Sequence, residues 1–71
     1  MEVKILRALG KNLNRLRMAS GLTQEKLAEK ADISLRYVQQ LEAGQRNPSI
    51  PTLVRLHRAL SCKYDDLFKG L

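Results

Sequence analysis

Arg36, Gln39 and Gln40 stand close together in the chain, with Leu35 and Tyr37 beside them and Ala43 one helical turn on. A guanidinium can donate two parallel hydrogen bonds to O6 and N7 of guanine. A primary amide can donate to N7 of adenine while accepting from its N6–H, and an apolar side chain can lie against a thymine methyl. These are the side-chain types that read base edges in a DNA major groove. The plain alternative is a solvated helix face, but such a face ordinarily carries Glu and Lys. Here the outward set is one Arg, two amides and a small Ala.

Such a set works only if a helix holds it and turns its opposite side to a core. At about 100° per residue, Ser34, Val38 and Leu41 fall on the inner side and Arg36, Gln39, Gln40 and Ala43 on the outer. Ser34 is the expected N-cap, Ile33 and Val38 a hydrophobic staple, and Gly44 the stop. The preceding helix follows the same plan: Thr23 as cap, Leu22 and Leu27 as staple, and Glu25 at the positive end of the dipole. Leu27, Ala28 and Ala31 point inward, and the helix ends near Ala31–Asp32. Only Asp32, Ile33 and Ser34 separate the two helices. Helices joined so tightly cannot fold back antiparallel; they cross steeply, as in a helix-turn-helix.

The remainder is helical by the same periodicity. The first helix is expected from Glu2 or Val3 to Ala19, with Leu6, Leu9, Leu13 and Leu16 as its buried stripe and Gly21 as a left-handed cap. After the loop Gln45-Arg46-Asn47-Pro48, Ser49 caps a fourth helix that tolerates Pro51 in its first turn. Leu53, Leu56, Ala59 and Leu60 form its inner face, and a short last helix over Asp65–Lys69 adds Leu67 and Phe68. Few β-branched residues and no alternating run argue against strands. The expected fold is all-α: one compact five-helix bundle over residues 1–71, with the helix-turn-helix unit at about 23–43.

Composition narrows the function classes. Thirteen Lys and Arg against seven Asp and Glu give a net charge of +6 on 71 residues, so a polyanion is the natural partner. The surplus is uneven: five basic against one acidic in residues 1–20, four against four in 21–46, and four against two in 47–71. Steering must therefore come from the first helix and the loops. The single Cys62 cannot form an intrachain disulfide, which favours a reducing, cytoplasmic location. Charges at Glu2, Lys4, Arg7 and Lys11 interrupt every apolar run near the start, unlike a signal peptide, and no run approaches membrane-spanning length.

Catalytic chemistry has little to work with. His57 has no Cys, carboxylate or second His at ligand spacing and reads as a partly exposed helix residue. Cys62 lacks a resolving thiol and reads as core filler. Asp65 and Asp66 diverge on a helix and suit its first turn. With no Gly-rich phosphate loop and no nucleophile elbow, the chain does not read as an enzyme, and no metal, cofactor or small-molecule ligand is expected.

Several stretches carry a family resemblance: the segment from Leu9 to Arg17, Gly21-Leu-Thr-Gln-Glu-Lys-Leu-Ala, Ile33-Ser, Leu41-Glu-Ala-Gly and Asn47-Pro-Ser. In order and spacing they resemble the phage repressor/Cro type of helix-turn-helix, the XRE family, over roughly residues 5 to 68. The chain departs from that pattern with Asp32 at a turn position often held by Gly, Ser61 where Gly usually ends the fourth helix, and Lys63 where Ser or Thr usually caps the fifth. The resemblance implies a lambda-repressor-like domain of five helices that binds DNA operators as a two-fold dimer. It implies DNA contacts at Gln24, Ser34, Leu35, Arg36, Tyr37, Gln39, Gln40, Arg46 and Asn47. It also sets the ends of the first and third helices side by side, which implies a salt bridge between Arg17 and Glu42.

A small transcriptional regulator acting on a palindromic double-stranded DNA operator is the resulting expectation. The competing one is a protein-interaction module of the same fold, antitoxin-like or adaptor, whose outward helix meets protein. Two half-sites require two copies of the reading helix. A weak homodimer is therefore expected, with Leu67, Phe68 and Leu71 as its interface. The alternative for Leu67 and Phe68 is that they close the core over the fourth helix.

Overall fold

Three hydroxyl caps and two left-handed glycines divide the chain. The computed structural model describes residues 3–71; Glu2, the alternative start of the first helix, lies outside them. Helix α1 spans Val3–Ala19, α2 Gln24–Ala31, α3 Leu35–Glu42, α4 Ile50–Leu60 and α5 Tyr64–Leu67, with no strand among the described residues. Thr23, Ser34 and Ser49 each lie extended and accept the backbone N–H three residues on, from Lys26 at 3.1 Å, Tyr37 at 3.0 Å and Thr52 at 3.3 Å. Each satisfies a donor that the first helical turn would leave unpaired. Gly21 and Gly44 follow α1 and α3 with φ of 72° and 73°. Asp32 and Ser61 adopt the same left-handed geometry, at φ 55° and 50°, after α2 and α4. Asp32 tolerates that conformation better than most residues, and Arg55 of α4 donates to its carbonyl at 3.3 Å.

The core is a leucine cluster. Leu9 and Leu13 of α1, Leu27, Ala28 and Ala31 of α2, Val38 and Leu41 of α3, Leu56 and Leu60 of α4 and Leu67 of α5 are all buried together. Helix α1 packs on α3 and α5, while α2 packs on α3 and α4. The stripe expected on α1 is shorter than its leucine spacing suggests. Leu16 packs against the cluster half-buried, and Leu6 stands outside it.

Two corrections concern the C-terminal end. Helix α5 begins at Tyr64 and ends at Leu67, instead of running Asp65–Lys69. Lys63 occupies the cap position without a side-chain cap hydrogen bond; its backbone N–H donates to Asp66 Oδ2 at 3.3 Å, the reciprocal half of a capping box. Leu67 is fully buried, at 0% exposure, and therefore closes this chain's own core instead of lining an interface. Its carbonyl and that of Lys69 accept from the buried Asn12 Nδ2 at 2.8 and 2.9 Å, which ties α5 to α1.

Helix α1 approaches the end of α3 closely because Gly10 of α1 and Gly44, just past α3, carry no side chain. A Cβ on Gly10 would lie 2.6 Å from the carbonyl oxygens of Leu41 and Glu42, and one on Gly44 would lie 3.0 Å from Arg7 Cα. In an open helix, Gly→Ala stabilises by roughly 0.5–1 kcal/mol. At Gly10 backbone blocks the added methyl, so Gly10→Ala should invert that sign and destabilise by about 1–3 kcal/mol. Urea unfolding of the two proteins side by side tests this; an unchanged or raised midpoint would contradict the packing.

Candidate nucleic-acid interface

The end of α3 is fixed by one carboxylate. Glu42 Oε2 accepts from Arg17 Nε at 2.7 Å, and Glu42 Oε1 accepts from Arg17 Nη2 at 3.2 Å, Asn14 Nδ2 at 2.9 Å and Gln24 Nε2 at 3.2 Å. Arg17 Nη1 also donates to the carbonyl of Leu22 at 2.8 Å. The Arg17 and Glu42 side chains are 13% and 6% exposed, so this ion pair is shielded, unlike the exposed pair Lys26–Glu29 at 3.7 Å. Burial pushes the Glu42 carboxyl up. Hydrogen bonds from Arg17, Asn14 and Gln24, with the Arg17 charge, outweigh that and hold its pKa below the usual carboxylate value. The sequence pointed to Arg17 and Glu42 but not to Asn14, nor to Gln24 as a partner of Glu42.

With its acid turned inward, α3 shows water a face without negative charge. Leu35, Arg36, Gln39 and Ala43 are exposed, and Tyr37 and Gln40 are half-buried on its flank. Ser34 sits exposed at the cap, and Arg46 and Asn47 are exposed in the loop beyond the helix. Arg46 folds back over α3: its Nη1 donates to Gln40 Oε1 at 3.0 Å, and its guanidinium carbon lies 4.8 Å from the centre of the Tyr37 ring. Gln24, half-buried in the first turn of α2, spends its amide nitrogen on Glu42 and leaves one N–H and the free backbone amides of the helix start.

The residues considered for catalysis lie on the α4–α5 side. The His57 ring stacks on Tyr64, centroids 3.9 Å apart and planes at 14°, and its Nδ1 is buried without a hydrogen-bond partner in the protein. Burial raises the pKa of the half-buried Cys62 thiol, keeping it protonated and weakly nucleophilic. Among the described residues no group of three or more His, Cys, Asp or Glu is arranged to hold a metal, and no helix is long and apolar enough to cross a membrane.

Because the Glu42 pKa is depressed on folding, its contribution to stability is complete above the unfolded carboxylate value, about 4.3. It fades as the pH falls through the lower folded value. Arg17→Met should cost about 3 kcal/mol, the lower end for breaking a shielded pair, because Asn14 and Gln24 still donate to the carboxylate. The gap between the wild type and Glu42→Gln should narrow as the pH drops below about 4. Denaturant melts across pH 3–7 measure both, and a gap that stays constant with pH would show that the carboxylate charge plays no part.

Comparison with known proteins agrees with this geometry. A helix-turn-helix family profile matches residues 13–67. The chain is 41% identical over 59 residues to an uncharacterized HTH-type transcriptional regulator of Sinorhizobium fredii, covering 83% of this chain and 77% of the relative. It is 49% identical over 47 residues to the HTH-type transcriptional regulator PrpR of Mycobacterium tuberculosis, but this match covers 66% of the chain and spans only 10% of PrpR's length. Among solved structures, the restriction-modification controller protein C.AhdI from Aeromonas hydrophila superposes with a TM-score of 0.86 at 40% identity, covering 89% of this chain and 96% of that one. With the profile, the relatives and the fold in agreement, the chain belongs to the XRE-type helix-turn-helix family of DNA-binding transcriptional regulators.

Proposed function

We propose that this chain is a prokaryotic cytoplasmic regulator that reads a palindromic double-stranded operator, with α3 in the major groove and one copy of the chain on each half-site. The observation that carries this reading is the division of labour on α3. The side chain of its acid, Glu42, is 6% exposed and paired with Arg17, while Arg36 and Gln39 stand exposed to water. A groove-facing helix presents donors and acceptors to base edges, and pairing its carboxylate with an arginine lowers the repulsion from phosphate. The starts of α2 and α3, at Gln24 and Ser34, supply phosphate contacts that set register, and Arg46 and Asn47 extend them. Lys4, Lys11 and Arg15 of α1, all exposed, add to the attraction.

The size of the chain supports pairing on DNA. Its principal extents are 28 × 23 × 20 Å, shorter than the roughly 34–36 Å between half-sites one helical turn apart. Phe68 and Leu71, 40% and 43% exposed, lie together at the C-terminal end, with Phe68 stacked on Tyr64 at 6.2 Å between centroids. They are the proposed contact of a weak homodimer that operator binding consolidates by linkage.

Selection of bound sites from random DNA should return a two-fold motif. Arg36→Ala should cost about 1–3 kcal/mol on that motif and relax preference at one base pair in each half. Equal losses on selected and random DNA would reduce Arg36 to a backbone contact. Affinity should fall steeply with added salt as counterions are released; a salt-insensitive, sequence-indifferent affinity would favour the protein-interaction reading. Leu71→Asp should leave the thermal melt of the monomer in place while weakening self-association and cooperative operator binding. Sedimentation showing a monomer at high concentration, with one chain bound per operator, would contradict the dimer.

A further inference from the structure

We infer that Asn12, a buried side chain of α1, positions residues 68–71 to meet a second copy of this chain, so that Phe68 and Leu71 form a preset two-fold contact. This rests on the homodimer proposed above. Asn12 Nδ2 donates to the Leu67 carbonyl at 2.8 Å and to the Lys69 carbonyl at 2.9 Å, and Asn12 Oδ1 accepts from Arg15 Nη1 at 3.1 Å. Carbonyls can be met only by the N–H side of an amide, so its orientation is fixed. The first of these bonds serves the core, since Leu67 is buried. The second reaches beyond it. Every residue after Leu67 is exposed, yet the backbone there is held at three more points. Asn12 grips the Lys69 carbonyl, the Leu71 N–H donates to the Phe68 carbonyl at 3.1 Å, and Gly70 turns the chain at φ 77°. Ordering exposed backbone costs conformational entropy, and no buried side chain beyond Leu67 offsets it within one chain. A second copy seated on Phe68 and Leu71 would.

Charge and shape commit the occupant to a second copy. The chain carries +6 in all, so two copies can meet closely only where the charge is locally balanced. Residues 63–71 provide that balance: Lys63 and Lys69 stand against Asp65 and Asp66, all four exposed, around Tyr64, Phe68 and Leu71. A two-fold contact can set the lysines of one copy against the aspartates of the other, because the same patch faces itself. A polyanion or a cationic partner would instead call for a surplus of one sign. The rings of His57, Tyr64 and Phe68 form a row, with centroids 3.9 and 6.2 Å apart and interplanar angles of 14° and 15°. That row steadies Phe68 from within, and the grip of Asn12 steadies Leu71 beside it. Side chains held before contact need not be ordered during it, which favours association through a small patch.

The test measures backbone order, self-association and operator binding of the whole chain. In dilute wild-type monomer, NMR relaxation should give residues 68–71 order parameters near the rigid value of about 0.85; values under about 0.6 show a frayed segment and overturn the inference. Asn12→Ala removes both donors and should weaken the dimer roughly tenfold in sedimentation, the effect of freeing two interface side chains. Gly70→Val strains the left-handed turn, where an added Cβ meets nothing within 4 Å, and so loosens the same residues without touching the core. It should weaken the dimer alike while leaving the thermal melt in place. Both variants should bind a single half-site as the wild type does and lose cooperativity on the two-fold operator. An Asn12 that served the core alone would lower the melt and leave the dimer dissociation constant of the folded protein unchanged. If Asn12→Ala does not fold, the order parameters and Gly70→Val decide. A wild-type dimer whose dissociation constant is unmoved by Asn12→Ala, or by Gly70→Val, overturns the inference and leaves the homodimer standing. A wild type that stays monomeric at high concentration and binds one chain per operator overturns both.

Discussion

The carboxylate of Glu42 joins three helices at one point. It sits at the end of α3 and receives donors from Arg17 and Asn14 on α1 and from Gln24 on α2. Arg17 extends the junction to the turn before α2 through the Leu22 carbonyl. A charge this well enclosed is tolerable only when its lone pairs are occupied, and here four hydrogen bonds occupy them. Direction matters more than energy. Hydrophobic packing of Val38 and Leu41 is non-directional; donors arriving from fixed positions on two other helices add direction. The close approach at Gly10 and Gly44 belongs to the same constraint, because it brings the end of α3 within reach of side chains on α1. A reading helix has to be held to within a fraction of an ångström for bidentate base contacts.

Most element boundaries were legible because their causes are local. Thr23, Ser34 and Ser49 each cap by reaching three residues along the chain, and Gly21 and Gly44 take up left-handed φ within a single residue. Such signals survive without tertiary information. The missed features depend on groups far apart in sequence. Asn12 bonds carbonyls more than fifty residues away, and Gly10 is small because of carbonyls on another helix. Leu67 looked available for an interface because a four-residue helix carries too little pattern to reveal its inner side; the structure buries it under α1.

The outward side of α3 shows the same split. Helical spacing alone separated Arg36, Gln39 and Ala43 from Val38 and Leu41. It treated Gln39 and Gln40 as equivalent, because periodicity places side chains without saying which of their atoms already have a partner. The hydrogen bond from Arg46 to the Gln40 oxygen depends on how the loop after Gly44 returns over the helix, and that path is set by tertiary packing.

Charge is distributed so that attraction and discrimination reside on different parts of the body. The middle of the chain, residues 21–46, holds four basic and four acidic residues, while the surplus lies in α1 and beyond residue 46. A cationic reading face would bind any phosphate backbone, and the uniform attraction would mask differences between base pairs. Here the reading face carries one arginine and neutral amides, whose hydrogen bonds are worth most when base geometry matches and cost desolvation when it does not. In the proposed arrangement the basic residues of α1 supply attraction to DNA and no readout. Burying Glu42 with Arg17 serves both requirements: it lowers the repulsion between α3 and phosphate, and it uses an arginine that would otherwise add sequence-indifferent attraction at the interface.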